Sequence, residues 1–402
     1  MHRNRFVTTS LLVAAVLTAA AALSIVQSPN QSAPGNYASD ETKEKPQKTR
    51  SGRVVAWNKK ETVDSTFLFM SWTAPGEPPH RADLLDRNGS ILHQWNLPSA
   101  ALHGRLLENG NLLYMELASM EDRTLPIRGQ CSSLIELDWN GKEVWRFDAP
   151  MLHHDVIEID NGTLATIMSE PMRESLKTKY FPEMPQTAIT DRIVFIRKTD
   201  KTITWEWSVQ DHWDKLHDRV ENPTNPNVTH TNSLQFLERN PLTGTPALLL
   251  SMRSISTVLL VEHQTKKILW MSPKGLFRVQ HSASITTDGN ILLFDNGVYP
   301  THVRSRALIL EPRYNQLVWE WADPEGFWSA ALMGAVELMP NGNVLISNSF
   351  MGQLFEVTRR GEVVWNYIGD PSVRIHKAST GSWWPGQPFY RVVPYPRPAQ
   401  LK

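Results

Sequence analysis

From about residue 53 the apolar and polar positions fall into a two-part unit that recurs along the chain. Its first part is a short apolar strand, a polar turn and a second strand ending in tryptophan. Copies read ADLLDRNGSILHQW (82–95), SLIELDWNGKEVW (133–145), RIVFIRKTDKTITWEW (192–207), TVLLVEHQTKKILW (257–270), RALILEPRYNQLVWEW (306–321) and QLFEVTRRGEVVW (353–365). The second part begins on a polar residue, alternates, turns mostly at Asn-Gly or Asp-Gly and ends in an apolar run. Copies read HGRLLENGNLLYM (103–115), HDVIEIDNGTLATI (154–167), HTNSLQFLERNPLTGTPALLL (230–250), HSASITTDGNILLF (281–294) and GAVELMPNGNVLI (334–346). Alternation with period two puts every other side chain on one face of a strand, and Asn-Gly or Asp-Gly tolerates the positive φ of a tight hairpin turn.

Two hairpins per unit predict a four-stranded antiparallel sheet, and the six first parts predict an all-β fold, a six-bladed β-propeller. Only five second parts are visible, so the missing one must come from elsewhere; TFLFMSW at 66–72 is expected to supply it and close the ring, since an open ring leaves strand edges unpaired. Trp95, Trp145, Trp207, Trp270, Trp321 and Trp365 are expected to pack between neighbouring blades. A sandwich or a barrel does not call for near-equal repeats.

Upstream the pattern is different. His2, Arg3 and Arg5 precede an uncharged run from Phe6 to Val26, which reads as an export signal or as a single membrane-spanning anchor. The small residues Ala19 to Ala22 offer a cleavage region, and both readings stay open. Residues 27–52 are polar and rich in Pro, Ser, Lys and Glu, too poor in apolar surface to fold alone. The expected organisation is a signal peptide or anchor at 1–26, a linker at 27–52 and the propeller at 53–402, exported and either periplasmic or tethered facing the periplasm through residues 6–26.

Composition narrows the function. Lys plus Arg and Asp plus Glu both number 41, and this balance gives no basic excess to favour nucleic acid. The 15 tryptophans with 21 glycines and 27 prolines suit short strands and many turns. Cys131 is the only cysteine, so no intramolecular disulfide supports the fold.

The second parts share a chemical register. Three begin at His103, His154 and His281, and a fourth begins at His230 with Asn232 two places on, on the same strand face. If these are the innermost strands, the imidazoles converge from separate repeats on one polar cavity at the hub. His153, next to His154, is expected to point the opposite way. Imidazoles can enclose zinc, but neither a helical His pair nor a Cys pair accompanies these histidines, and no metal is assigned. Arg253 follows the strand after His230 and Asn232, where a guanidinium suits an oxyanion.

These residues resemble those of the bacterial arylsulfotransferases. The likeness runs from about 53 to 395 and is carried by LHHDVIEIDNGTLATI (152–167), THTNSLQFL (229–237), LLLSMRSISTVLLVEHQTKKILW (248–270), QHSASITTDGNILLFDNG (280–297), SRALILEP (305–312) and MGAVELMPNGNVLISNS (333–349). The resemblance implies sulfuryl transfer from an aryl sulfate to a phenol without a nucleotide donor or other cofactor, by a ping-pong route. It implies His281 as the transiently sulfated nucleophile, with His154, His230, Asn232 and Arg253 holding sulfuryl and phenolic oxygens; His103 joins them as a candidate substrate-binding residue. The chain departs from the larger periplasmic members, which carry an extra N-terminal β-domain and a disulfide, and Ser282 stands where Asp is frequent. The sequence specifies neither the donor, the acceptor nor an oligomeric state. The rival classes are a non-catalytic propeller that binds a ligand or protein, and a quinone-dependent oxidoreductase.

Overall fold

Strand β1 (Gly52–Trp57) is followed by β2 (Thr66–Met70), β3 (Arg81–Leu85) and β4 (Ile91–Asn96). Next come β5 (Ala101–Leu106), β6 (Leu112–Leu117), β7 (Gln130–Leu137), the long β8 (Glu143–Asp160), β9 (Thr163–Pro171), β10 (Ile189–Arg197) and β11 (Ile203–Ser208). Two four-stranded sheets follow: β12 (Thr231–Leu237), β13 (Ala247–Met252), β14 (Thr257–Glu262) and β15 (Ile268–Met271), then β16 (His281–Ile285), β17 (Ile291–Asp295), β18 (Arg306–Glu311) and β19 (Gln316–Trp321). The remainder are β20 (Ala335–Leu338), β21 (Val344–Asn348), β22 (Gln353–Val357), β23 (Val363–Gly369), a small ribbon of β24 (Ile375–Lys377) and β25 (Ser382–Trp384), and β26 (Val393–Tyr395). This computed structural model describes residues 52–70, 79–127, 129–297, 304–323, 333–369, 375–377, 382–384 and 389–401. The signal or anchor read at 1–26 and the linker up to residue 51 lie outside the described residues. Among the described residues no helix is long and apolar enough to cross a membrane.

The strands form an all-β propeller of antiparallel blades, but not the six separate four-stranded sheets expected from the repeats. Four sheets have the blade form: three contain four strands, and β20–β23 carries β1 as a fifth strand on its outer edge. The other seven strands, β5 to β11, are one sheet. The cause is β8, which runs for 18 residues and pairs with β7 along its first part and with β9 along its last. Leu152 and His153 pair on both sides, so the strand passes from one repeat to the next without a break.

The first sheet joins the early strands β2–β4 to β26, the last strand described, in the order β26-β2-β3-β4. Residues 66–70 enter this sheet, as the unpaired-edge argument requires. The first place in the order, held by β12 and β16 in their sheets, belongs to β26 instead. Residues 71 and 72 of the expected strand lie outside the described residues.

The Asn-Gly turns form as three-residue hairpin loops. In Asp138–Lys142, Gly141 N–H donates to the Asp138 carbonyl, Asp138 N–H donates to the Lys142 carbonyl, and Gly141 has φ of 83°. The Asp138 carboxylate accepts from the Asn140 and Lys142 amides and holds the turn. Positive φ therefore falls on the glycine alone, which has no Cβ to clash, and Asn140 stays in an ordinary conformation.

The strand-ending tryptophans explain how neighbouring hairpins dock. The Trp95 indole N–H donates to the Asp138 carbonyl, Trp145 to Lys198, Trp207 to Lys266 and Trp321 to Gly361, at 2.8–3.1 Å. Trp270 donates to the Asn315 side chain at 2.9 Å, and Trp365 returns to the Arg87 carbonyl at 3.1 Å. Trp95, Trp207, Trp321 and Trp365 are buried and Trp145 and Trp270 half-buried; each satisfies its N–H on the turn of the following hairpin, so the circuit of contacts closes on itself. Apolar clusters fill the space between: Leu68, Leu84 and Trp95 pack with Leu112, Tyr114 and Ile135 of the next hairpin pair.

Candidate active site

The histidine register coincides with a backbone irregularity. Pairing shifts between Ala101 and His103, between His153 and Val156, between Thr231 and Ser233, and between His281 and Ser284, each in the strand that opens a repeat. His154, His230 and Ser282 have φ of 63°, 53° and 55°, a region that residues with a Cβ seldom enter. A bulge re-aims side chains and interrupts pairing, and strain of this kind persists only where surrounding structure enforces it. It also corrects the expectation for His153. On a regular strand His153 and His154 would face apart, yet here their Nδ1 atoms lie 2.9 Å from each other.

His154 and His230 meet directly, Nε2 to Nε2, at 3.0 Å. Asn227 Nδ2 lies 2.6 Å from His230 Nδ1, and His153 Nε2 lies 3.1 Å from Asp191 Oδ1. Asp191, in β10, accepts at Oδ2 from the Thr231 amide and from the hydroxyls of Thr229 and Thr231. Burial pushes this carboxyl up, but His153, the Thr231 amide and Thr229 outweigh it and hold the group below the ordinary carboxylate range. Gly129 makes room for the His154 ring: a Cβ there would sit 2.8 Å from His154 Cε1.

His281 is buried, and its Nδ1 lies 2.6 Å from Asn296 Oδ1. The Asn296 amide has one orientation, because its Nδ2 donates to the Met333 carbonyl at 2.6 Å. An oxygen facing Nδ1 requires a proton there, so neutral His281 carries its lone pair on Nε2. Gln280, one residue earlier, donates through Nε2 to Ser251, Met252 and Thr257 and pins the start of β16 to the preceding sheet. Ser282, where the family often has Asp, donates instead to the Val336 carbonyl.

Arg253 follows β13; its amide donates to the His230 carbonyl, and its guanidinium charge acts on both His154 and His230. Asn232 donates from Nδ2 to the Gln280 carbonyl at 2.8 Å, while its buried Oδ1 has no hydrogen-bond partner among the described residues. His103 stands apart from this group. It lies against Asp155, with Nε2 3.7 Å from Oδ1, and edge-on to Tyr390. The structure therefore brings His153, His154 and His230 into one contact chain, sets Arg253 and His281 within electrostatic reach of it, and places His103 in an ionic cluster below.

That cluster contains residues for which the repeats give no signal. Asp155 receives Arg105 at 3.0 Å, Arg391 at 3.3 Å and the Leu234 amide at 3.1 Å, and Arg391 also pairs with Glu337. Tyr390 donates to the Asn232 carbonyl and turns its ring toward His103 and His154. Residues 390 and 391 belong to no repeat. Asn296 lies in the NILLFDNG run, whose terminal Asn-Gly looks like turn chemistry. Among the described residues no group of His, Cys, Asp and Glu is arranged to hold a metal.

Burial first, then the nearness of His153, His281 and the Arg253 charge, holds His154 well below the ordinary histidine value; burial, then His154 and Arg253, does the same to His230. His103 is lowered by burial and by Arg105 and Arg391, although Asp155 opposes them. These imidazoles are neutral in the folded protein at pH 7, whereas in the unfolded chain they titrate near 6.5. Stability is therefore complete above about pH 6.5 and falls with acidification, by up to about 1.4 kcal/mol per pH unit for each histidine that stays neutral. Thermal unfolding followed from about pH 7.5 down to 5.5 should show this slope, and His154→Gln should reduce it by one proton's worth. A slope unchanged in that variant would contradict the assignment.

A protein-family model described as Arylsulfotransferase (ASST) matches residues 129–370. Among curated proteins none matches the chain. Among solved structures, a protein of unknown function from Bacteroides caccae is 12% identical with a TM-score of 0.52, covering 83% of this chain and 99% of its own. A streptogramin B lyase is 12% identical with a TM-score of 0.45, covering 84% and 95%. A virginiamycin B lyase from Staphylococcus aureus, crystallised as an inactive variant with quinupristin, is 9% identical with a TM-score of 0.43, covering 77% and 86%. At such identities the first of these supports the fold alone.

Proposed function

The chain belongs to the arylsulfotransferase family, and from that premise we propose that it moves a sulfuryl group from an aryl sulfate to a phenolic acceptor through a sulfo-histidine at His281. The observation that carries this reading is the Asn296 amide, which puts the His281 proton on Nδ1 and the nucleophilic pair on Nε2. In the first half-reaction Nε2 bonds to sulfur, the sulfur–oxygen bond to the aryl group breaks, and the phenolate departs with the bonding pair. In the second, the acceptor's oxygen bonds to sulfur, the nitrogen–sulfur bond breaks, and the pair returns to Nε2.

Arg253 supplies fixed positive charge beside the neutral histidines, which suits the sulfuryl oxygens and the departing phenolate. A preorganised donor of this kind is worth about 10²–10³ in rate. His154 and His230 handle the hydroxyl proton, and Asn232, bonded to the Gln280 carbonyl, stands beside His281. His103, held in the ionic cluster, acts on substrate through Tyr390 at most.

We read the seven-stranded sheet as two blades sharing β8, which makes six in all; the six-membered circuit of tryptophan contacts supports that count. Export, with the protein periplasmic or tethered there, rests on the first 26 residues. A non-catalytic propeller is the second reading. Against it stands the gathering of ionisable groups in bulged, strained strands, which a scaffold does not need.

The test is intact-protein mass spectrometry after brief exposure to 4-nitrophenyl sulfate without an acceptor. The expected result is a gain of one sulfuryl group on the peptide containing His281, discharged when a phenol is added. An unmodified protein that releases no nitrophenol would favour the binding-platform reading.

A further inference from the structure

The contacts around His154 run as one line: Asp191 Oδ1 to His153 Nε2, His153 Nδ1 to His154 Nδ1, His154 Nε2 to His230 Nε2, and His230 Nδ1 to Asn227 Nδ2. Four contacts of 2.6–3.1 Å join five side chains: three have hydrogen-bond geometry, and the fourth, His153 Nε2 against Asp191 Oδ1, is an ion-pair contact off the hydrogen-bond angle.

The placement of protons follows from one end. Asp191 Oδ2 accepts from three donors, so this carboxylate is ionised and Oδ1 is an acceptor too. A lone pair on His153 Nε2 would face that negative charge at 3.1 Å, so the ring proton sits on Nε2. A neutral His153 accepts at Nδ1, so His154 donates from Nδ1 and accepts at Nε2. His230 in turn donates from Nε2 and accepts at Nδ1, where an amide N–H is required. Asn227 presents its Nδ2 there, so the far end agrees with the assignment begun at the carboxylate. Every hydrogen in the line points toward Asp191.

This polarity gives the meeting point of His154 and His230 two unlike faces, an acceptor at one Nε2 and a donor at the other. A phenolic hydroxyl entering between them accepts from His230 and donates to His154. We propose that Asp191, His153 and His154 form a proton-conducting chain in which the His153–Asp191 pair stores the proton taken from the acceptor's hydroxyl until the next donor's phenolate needs it. The inference rests on the function proposed above and adds a site for the proton between half-reactions.

The balance is complete. The acceptor's O–H bond breaks and its proton bonds to His154 Nε2; the Nδ1 proton of His154 passes to His153 Nδ1. His153 is then an imidazolium, with its Nε2 proton against the ionised Asp191 at 3.1 Å. The reverse transfer protonates the phenolate released by the next aryl sulfate. Neither Asp191 nor His153 touches substrate in this scheme, so both are positioning residues that act through His154. A carboxylate and an imidazole with no exposed surface suit such a store, because water cannot drain the proton between half-reactions.

The test has two arms. In the first, histidine ring-nitrogen NMR on the unsubstituted protein reads the tautomers without any reaction. Protonation of His154 on Nδ1 and of His230 on Nε2 is expected, with signals assigned by single substitution. Protonation of His154 on Nε2 overturns the chain.

In the second arm, enzyme sulfated by 4-nitrophenyl sulfate is discharged to phenol, un-ionised at the assay pH, or to an electron-poor phenol already ionised there. In His153→Gln and Asp191→Asn, discharge to phenol should fall by about 10²-fold, the usual size of a general-base contribution, while discharge to the ionised acceptor changes less than about threefold. Equal losses with both acceptors, or no loss with either, would overturn the proposal. Failure of the unsubstituted protein to become sulfated would instead remove the function on which it rests, and the nitrogen spectra still decide the proton arrangement.

Discussion

His281→Ala is expected to lower sulfuryl transfer by about 10³-fold or more, since removal of a covalent nucleophile leaves only binding and charge stabilisation. The loss should appear as a missing first half-reaction, with no burst of nitrophenol and no sulfated enzyme. Folding should survive: His281 is buried, and losing its contact with Asn296 Oδ1 costs about 1–3 kcal/mol. Asn296→Ala should be milder, about 10–100-fold, because the reactive tautomer is then merely one of two populated forms. Rapid-quench single-turnover kinetics with circular dichroism of both variants separates chemistry from folding. Full burst amplitude in His281→Ala would place the nucleophile elsewhere.

The largest effect on stability is expected at Asp155. Its carboxylate accepts from Arg105, Arg391 and the amides of Val156 and Leu234, and so ties β8 to β5, to β12 and to the segment before β26. Burial pushes its carboxyl up, but Arg105 and Arg391, with smaller help from His103, hold it below the ordinary range. In Asp155→Ala the buried Arg391 keeps Glu337 as its carboxylate partner among the described residues, and removing one partner of a buried pair costs about 3–5 kcal/mol. Urea denaturation should show the unfolding free energy falling by that amount, with Asp155→Asn intermediate because its one amide oxygen still accepts from one of the two backbone N–H groups that met the two carboxylate oxygens. A change below about 1 kcal/mol in the alanine variant would mean that the cluster is solvated rather than sealed.

The blades were legible because their cause is local. Alternation, turn glycines and the closing tryptophan each act within a dozen or so residues, and each leaves its mark at a fixed offset. The continuity of β8 was not, since the residues 146–152 that carry it across read as an ordinary connection. The register of His103, His154, His230 and His281 was visible, but where each ring points depends on bulges, and a bulge is set by the partner strand. Hence His153, adjacent to His154 and expected on the other face, takes part in the contact chain, while His103 turns to Asp155. Asp191, Asn227, Asn296 and Tyr390 meet the histidines across 3 to more than 230 positions of sequence, and no periodicity encodes such meetings.

The pairing of β2 with β26 bears on how the molecule comes into being. Synthesis proceeds from the amino end, so β2 emerges early and waits through more than 300 residues for its neighbour. Until that late segment is free, the hub lacks the arginine joining Asp155 to Glu337 and the tyrosine beside His154. A nascent chain halted before residue 389 therefore lacks the strand that pairs with β2 and both hub contacts, and the first sheet stays open along that edge until the segment is made.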